Sequence, residues 1–213
     1  MEKNGKLRKQ HELVDVAEPN LLREIFPYDA VPRIVFDGVV ETPEPAPDFL
    51  ITDTTFRDGQ QARPPYTVEQ IVAMFDMLHR LGGPNGIIRQ TEFFVYSKTD
   101  RDAVNRCLAR GYEFPEVTGW IRAVKSDFKI VNEMGLRETG ILTSCSDYHI
   151  FLKLGKTRRQ AMDDYLAIVN AALDAGLRIR CHLEDATRAD FYGFVAPFVS
   201  KLMDLSAQSK IPV

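Results

Sequence analysis

Arg57 and Asp58 place a cation and an anion side by side in the polar run Asp53–Gln61. The apolar residues Phe49–Ile51 before this run predict a buried strand, and the run itself predicts the loop at the carboxyl end of that strand. In a parallel α/β protein, ligands bind at this edge of the sheet. The arginine can stabilise negative charge that develops on an oxygen, and the aspartate offers a hard carboxylate to a divalent metal. An isolated pair of this kind is more often a solvated ion pair, so the surrounding residues must decide.

Residues 54–61, TTFRDGQQ, resemble the first-strand signature of the DRE-TIM metallolyase family, in particular its isopropylmalate and homocitrate synthase branch. Members of this family are metal-dependent enzymes that condense or cleave acyl-CoA compounds. The resemblance implies an α/β fold of the TIM (β/α)8 type, a divalent metal (Mg, Mn or Zn) and acetyl-CoA as co-substrate. It also implies that Arg57 stabilises an enolate or enol oxygen, that Asp58 binds the metal and that Gln61 contacts the substrate.

Two charged residues end the second and third predicted strands. Glu92 lies among apolar neighbours, where a carboxylate needs a partner, and a structural ion pair with Arg89 or Arg57 would satisfy it. In the family, a glutamate at this place pairs with the catalytic arginine and helps in proton transfer, so the resemblance implies that role for Glu92. Arg122 can hold a substrate carboxylate through two parallel hydrogen bonds, or it can be an arginine on the rim of the sheet.

The segments after the fourth strand and within the fifth add further candidates. Ser144–His149 resembles the SD-x-H segment of the synthases, although serine and aspartate are also ordinary helix N-caps, and capping is the safer interpretation for them. Alternation places Arg180, His182 and Glu184 on one face of the fifth strand, and such a charged face is costly inside a barrel unless it lines a site.

The string EDATR, residues 184–188, resembles that of the isopropylmalate and homocitrate synthases more than that of the lyases. An arginine four residues before the glutamate is similar to homocitrate synthase, which implies that Arg180 contacts the far carboxylate of a dicarboxylic 2-oxo acid. The same resemblance assigns His182, Glu184 and Thr187 to the substrate-binding set.

The His-x-His metal pair of the family is absent from this sequence. Asp58 alone cannot hold a catalytic metal, because such a site needs about three protein ligands. We therefore expect the isolated chain to bind metal poorly and to turn over little or nothing. The four histidines occupy other places: His11, His79, His149 and His182.

The elements that must position these residues follow a βα pattern from residue 49 onward. Short apolar runs alternate with helical ones, which predicts five parallel strands and their helices. Thr67 and Gln70 predict a capping box for the first helix, and Gly82–Gly83 predicts its end. A complete barrel needs about 250 residues, so residues 49–213 are interpreted as a partial TIM barrel, truncated before the metal-binding strand. The chain is then the front of a longer protein, a truncated product or one half of a split barrel.

Residues 1–48 are predicted to form an N-terminal extension that ends in a proline-rich linker. They hold six of the twelve prolines, and we expect them to pack on the outside or at the bottom of the main domain. A short helix is predicted at Pro19–Phe26 and a short strand at Arg33–Gly38. No known chemistry is associated with this segment.

Composition sets limits on the function. With 213 residues, 45% of them apolar, and a net charge of −3, the sequence is that of an ordinary globular protein, and a nucleic-acid partner is not expected. No segment approaches the roughly 20 apolar residues of a membrane helix. Three widely spaced cysteines predict reduced thiols and a cytoplasmic location. The resemblance further implies a homodimer.

The leading hypothesis is an acyltransferase of amino-acid biosynthesis type that condenses acetyl-CoA with a small-molecule 2-oxo acid. The segments ARPPYT, residues 62–67, and EFFVYS, residues 92–97, favour the Re-type citrate synthase and homocitrate synthase branches. A lyase that cleaves a carbon–carbon bond on the same scaffold, like hydroxymethylglutaryl-CoA lyase, is one alternative. A non-catalytic fragment that needs a partner half is the other.

Overall fold

A computed structural model describes residues 11–24, 48–61 and 63–213. Five strands form one parallel sheet whose order follows the chain, and helices connect them. This is the order of strands in the first part of a (β/α)8 barrel, so the predicted partial TIM barrel is confirmed. The strands are β1 Ile51–Asp53, β2 Ile88–Phe94, β3 Glu116–Trp120, β4 Glu138–Ser144 and β5 Arg178–Glu184.

The helices follow the strands at the predicted places. The capping box of the first helix is confirmed, since the Thr67 hydroxyl accepts the Gln70 N–H and the Gln70 side chain accepts the Thr67 N–H. An equivalent box at Ser97 and Asp100 was not predicted. None of the helices in the described residues is both long and apolar enough to cross a membrane. The α-helices are α1 Val68–Gly82, α2 Lys98–Leu108, α3 Phe128–Glu133, α4 Arg158–Asp174 and α5 Ala196–Ser209.

Two π-helical segments follow β4 and β5. They comprise Tyr148–Lys153 and Phe191–Val195, and the second leads directly into the α-helix Ala196–Ser209. Such segments are rare and frequently lie at functional sites. The apolar spacing of the sequence contains no signal that separates them from an ordinary α-helix.

The prediction for the first strand is wrong in its position and its burial. The strand begins at Ile51 rather than Phe49, and 76% of Phe49, 57% of Leu50 and 50% of Ile51 is exposed. The physical reason is the place of β1 at the edge of the sheet, where β2 is its only neighbour among the described strands. An edge strand with one neighbour leaves its apolar side chains uncovered.

The chain divides into two compact units. The sheet unit comprises residues 40–142 and 171–181, and the arm unit comprises residues 1–39, 143–170 and 182–213. In the sheet unit the rings of Phe56 and Phe93 stack with centroids 4.8 Å apart. The core of the arm unit contains Phe198, whose ring contacts those of Tyr165 and Phe194, together with the buried Ile150 and Met162.

Arg158 at the start of α4 is the polar centre of the arm unit, with only 1% of the residue exposed. Its Nε and Nη2 donate to the two carboxylate oxygens of Asp147 at 2.8 Å each, and its Nη1 donates to Asp190 at 2.9 Å. The same Nη1 donates to the carbonyl of Val14 at 3.1 Å, while Asp147 accepts the Asn20 N–H at 2.5 Å. One guanidinium therefore links the segments after β4 and β5 to residues 11–24, the N-terminal arm.

The arm contacts segments that follow β4 and β5. Its packing on the outside or at the bottom of the main domain stays a prediction. Its secondary structure differs from the predicted one. The helix predicted at Pro19–Phe26 is absent from its described part, because the Asn20 side chain accepts the Leu22 N–H and competes with helical hydrogen bonds. The remainder of that helix and the predicted strand Arg33–Gly38 lie outside the described residues.

We expect Arg158→Ala to lower the free energy of unfolding by about 3–5 kcal/mol, because it leaves the buried Asp147 carboxylate without its cation. Urea unfolding of the chain measures this, and limited proteolysis should cut the arm faster in the same variant. Arg159→Ala, the exposed neighbour, is the matched control and should stay within about 0.5 kcal/mol of the wild type. Equal losses in both variants would contradict the anchoring role.

Candidate functional site

The end of β1 turns the chain so that Arg57 faces β2. The Asp53 carboxylate accepts hydrogen bonds from the Thr55 N–H and hydroxyl and from the Thr91 hydroxyl on β2. Phe56 then enters the core, where it is almost fully buried. With its neighbours fixed on both sides, the Arg57 side chain is directed along the carboxyl edge of the sheet.

Three groups hold the Arg57 guanidinium. Its Nε donates to Glu92 at 2.5 Å, and its Nη1 donates to Asp58 at 2.6 Å. The centre of the guanidinium lies 3.8 Å from the centroid of the Trp120 ring, which is a cation–π contact. Arg57 is thus held both in the plane of the guanidinium and on one of its faces.

Glu92 is fully buried, and it accepts hydrogen bonds from two arginines. The second is Arg180 on β5, whose Nη2 donates at 2.5 Å. The predicted pairing of Glu92 with Arg57 is confirmed, whereas the contact with Arg180 was not predicted. The alternation of side chains along β5 could have indicated the contact between Arg180 and Glu92. An arginine on a covered face of a strand needs an acidic partner on that face.

Arg180 has further partners on β2 and β4. Its Nη1 donates to the Gln90 side chain and lies 3.3 Å from Glu138. Its Nε is buried and has no hydrogen-bond partner among the described residues. A buried donor without an acceptor costs about 1–3 kcal/mol, so this atom is a place where a ligand oxygen would be stabilised.

Asp58 does not form a metal site with the other described residues. Its carboxylate is half exposed and accepts from Arg57 and, at 3.1 Å, from Gln61. In residues 11–24, 48–61 and 63–213 no group of three or more His, Cys, Asp or Glu side chains could hold a metal ion. The described residues therefore do not by themselves fit a complete divalent-metal site, and metal binding by Asp58 stays a prediction.

Arg122 lies beyond β3 and belongs to a separate cluster. Its Nε and Nη2 donate to Asp127 at 2.9 Å each, and its backbone N–H donates to the Tyr96 hydroxyl. The hydrogen bonds from Arg122 hold the pKa of Asp127 below its ordinary value. The side chain of Arg122 is 70% exposed. Among the described residues the structure brings it to Asp127 and Tyr96, and its contact with substrate stays a prediction.

The arm unit contains Glu184 in a second cluster. The carboxylate accepts from the Ser144 hydroxyl and from Lys153 Nζ at 3.0 Å. His149 Nδ1 also lies 3.0 Å away, although without the angle of a hydrogen bond. Burial raises the pKa of Glu184, but the hydrogen bonds from Ser144 and Lys153 outweigh it and the net pKa is lowered. Lys153 was not predicted from the sequence.

Asp185 follows with a left-handed backbone, φ = 63°, which is unusual for a residue other than glycine. Its carboxylate accepts from Ser146 at 2.5 Å and from Arg188 Nε and Nη2 at 2.8 Å each. Burial raises the pKa of Asp185, but these hydrogen bonds outweigh it and the net pKa is lowered. A strained backbone held by this many contacts is typical of functional sites.

The other predicted residues of the arm unit have simpler surroundings. The backbone carbonyl of His182 accepts from the Thr143 hydroxyl at 2.9 Å, and Thr187 is exposed in the 3-10 turn Ala186–Arg188. The capping interpretation is wrong for Asp147, whose carboxylate is used by Arg158 rather than by a helix terminus. The Ser146 hydroxyl does accept the N–H three residues later, as a cap would.

Comparison with known proteins gives the family of the chain. The HMGL-like family model matches residues 48–209. A relative named citrate (Re)-synthase from Syntrophus aciditrophicus is 60% identical over 202 residues, and one of the same name from Clostridium kluyveri is 58% identical over 204 residues. These matches cover 95% of the chain but only 32% and 45% of the two relatives. A 2-phosphinomethylmalate synthase from Streptomyces hygroscopicus is 39% identical over 81% of the chain and 40% of that protein.

We expect Glu92→Gln to lower the free energy of unfolding by about 3–5 kcal/mol, because Arg57 and Arg180 lose the buried carboxylate that they share. Urea unfolding measures it, and adding Arg180→Met should cost less than the sum of the two single changes. Glu69→Gln, which breaks an exposed ion pair with Arg106, is the control and should have little effect, because solvent screens such a pair. A Glu92→Gln value as small as the control would contradict the role of the buried pair.

Glu184 and Asp185 predict a dependence of stability on pH. Their pKa values are lower in the folded than in the unfolded chain, so their stabilisation is present above their ordinary pKa near 4. It is lost as the pH falls from about 5 towards 3. In the double variant Glu184→Gln with Asp185→Asn, the free energy of unfolding should fall less steeply with decreasing pH in this range. Urea unfolding measures it. Glu133→Gln with Asp102→Asn, two exposed sites, should keep the wild-type slope.

Proposed function

The chain belongs to the HMGL-like family, and we propose that the whole protein condenses acetyl-CoA with a 2-oxo acid, oxaloacetate, to form citrate. The family predicted from the motifs is confirmed by this match. The names of the two relatives that cover 95% of the chain support the choice of acid. Since the chain spans less than half of their length, activity and substrates remain a proposal for the whole protein.

The observation that carries the proposal is the pair of arginines on one buried carboxylate. In a condensation of this type, negative charge develops on the oxygen of the acetyl-CoA enolate. Arg57 is already held by Glu92, Asp58 and Trp120, so it stabilises that charge without having to reorganise. Glu92 positions the guanidinium and, by family resemblance, takes part in proton transfer.

Arg180 is proposed to hold the far carboxylate of the dicarboxylic acid. Two of its nitrogens are occupied by Gln90 and Glu92, whereas its buried Nε has no hydrogen-bond partner among the described residues. A substrate carboxylate oxygen would satisfy this donor with a charge-assisted hydrogen bond. A monocarboxylic 2-oxo acid would leave it unsatisfied, which favours oxaloacetate or 2-oxoglutarate over 2-oxoisovalerate.

The remaining roles are parts of the same proposal and rest on family resemblance. Asp58 contributes one metal ligand, and the other ligands come from outside the described residues. The resemblance assigns substrate contacts to Gln61 and Arg122 in the sheet unit and to His182, Glu184 and Thr187 in the arm unit. Residues 1–48 form an extension, and residues 49–213 form part of a catalytic barrel in a homodimeric, cytoplasmic protein.

The test is an assay of CoA release by the full-length protein that carries this chain, supplied with Mg²⁺ or Mn²⁺ and acetyl-CoA. We expect release with oxaloacetate and much less with 2-oxoisovalerate. Arg57→Lys should lower kcat by about 10²–10³-fold, because an ammonium cannot reproduce the directed donors of the guanidinium. Arg63→Lys, at an exposed site in the same loop, is the control and should leave kcat unchanged.

Two outcomes would contradict the proposed function. Cleavage of hydroxymethylglutaryl-CoA in place of CoA release would identify the protein as a lyase. An absence of release with oxaloacetate, 2-oxoglutarate and 2-oxoisovalerate would exclude a synthase for these acids.

A further inference from the structure

We propose that Trp120 is a positioning residue for Arg57, and that its ring fixes the direction in which the guanidinium presents its remaining N–H donors. Trp120 is the only tryptophan of the chain, and neither the motifs nor the alternation of charged residues indicated it. The residue acts on the site of the proposed function, so its effect on catalysis rests on that function being correct. The positioning itself is a property of the chain and can be tested without any substrate.

The register of the sheet places Trp120 above the buried carboxylate. On β3, Thr118 lies opposite Glu92 and Trp120 lies opposite Phe94. Because side chains alternate along a strand, Thr118 and Trp120 share one face, and Trp120 is the nearer of the two to the carboxyl end. The loop after β1 brings Arg57 to this edge, where its guanidinium lies against the indole at 3.8 Å.

Two hydrogen bonds in its plane do not fix a guanidinium completely. The bonds from Nε to Glu92 and from Nη1 to Asp58 define a line, about which the planar group can still tilt. A tilt moves Nη2, the nitrogen that neither of these two bonds holds. The ring of Trp120 covers one face of the plane and opposes the tilt, and a tryptophan ring attracts a cation more strongly than other aromatic rings do.

A purely structural role for Trp120 predicts different behaviour. As a packing residue it would contribute apolar contact area, which leucine partly replaces and which has no effect on the direction of Arg57. As a positioning residue it must present an aromatic face. Phenylalanine should then preserve the orientation of Arg57 in part, and leucine should lose it, even where both variants are equally stable.

The first experiment records the arginine Nε–H signals of the 213-residue chain by ¹H–¹⁵N NMR, with the Arg57 signal assigned through Arg57→Lys. We expect the ring current of Trp120 to shift this signal, the shift to be smaller in Trp120→Phe and to be lost in Trp120→Leu. Hydrogen exchange at Nε should be about tenfold faster in Trp120→Leu. The reason is that the free energy of a cation–π contact corresponds to a factor of about this size. An unchanged Arg57 signal in Trp120→Leu would overturn the inference.

A converse measurement covers the case in which Trp120→Leu does not fold. The fluorescence of the chain comes from Trp120 alone, so Arg57→Leu should change its emission intensity or wavelength, whereas Arg63→Leu should not. Identical emission in the wild type and Arg57→Leu would overturn the contact. Phe114→Leu is the matched aromatic control, because it removes an arginine–aromatic stack of similar distance, 3.9 Å to Arg89, elsewhere in the sheet unit.

The catalytic consequence is measured on the full-length protein. We expect Trp120→Leu to lower kcat about tenfold with little change in KM, Trp120→Phe to retain most of kcat, and Phe114→Leu to have no such effect. An active enzyme whose kcat is the same with tryptophan and leucine would overturn the inference. If the wild type releases no CoA with any 2-oxo acid, the proposed function fails, and the NMR and fluorescence results alone decide whether Trp120 positions Arg57.

Discussion

The buried carboxylate of Glu92 is the constraint on which the arrangement of the sheet unit depends. A carboxylate without contact to water costs several kcal/mol unless cations and hydrogen-bond donors surround it. Here the two cations come from positions 35 residues before it and 88 residues after it. The charge of Glu92 is therefore stabilised only when the loop after β1 and the strand β5 both reach β2. In this way one buried charge couples the local turn at Asp53 to the order of the strands.

The arm unit also depends on one buried charge, but there the charge is positive. Arg158 is a buried cation, and its carboxylates come from Asp147 and Asp190, after β4 and β5. The arm adds a backbone carbonyl at Val14, so residues far apart in the chain are fixed by a single side chain. The N–H donors of a guanidinium lie in one plane and point in fixed directions. Arg158 therefore determines where its acceptors lie as well as stabilising their charge. A lysine at residue 158 would supply the charge without that geometry.

The features that were predicted correctly from the sequence are those that depend on neighbours in the chain. The capping box joins Thr67 and Gln70, three positions apart, and the alternation of strands and helices is visible in the local apolar pattern, so both were predicted. The partners of Arg158 and Arg180 depend on register between distant segments, which composition and periodicity do not encode. For the same reason Asp147 was interpreted as a cap although it is an ion-pair partner, and Trp120 was missed although its strand was predicted. The exposure of Phe49 depends on what lies beside an edge strand, which its own apolar character does not reveal.

The charges of the candidate site give it no excess of positive charge, and this affects how the proposed anionic substrate would be recognised. Arg57 and Arg180 supply two cations, and Asp58, Glu92 and Glu138 supply three carboxylates. Such a cluster does not attract a dicarboxylic acid at long range, so affinity for the proposed substrate would have to come from individual hydrogen-bond donors. The buried Nε of Arg180 is such a donor, since it has no hydrogen-bond partner among the described residues. Under the proposed function, discrimination between 2-oxo acids would then depend on the positions of the guanidinium N–H groups rather than on net charge, and on the residues that prevent each guanidinium from tilting.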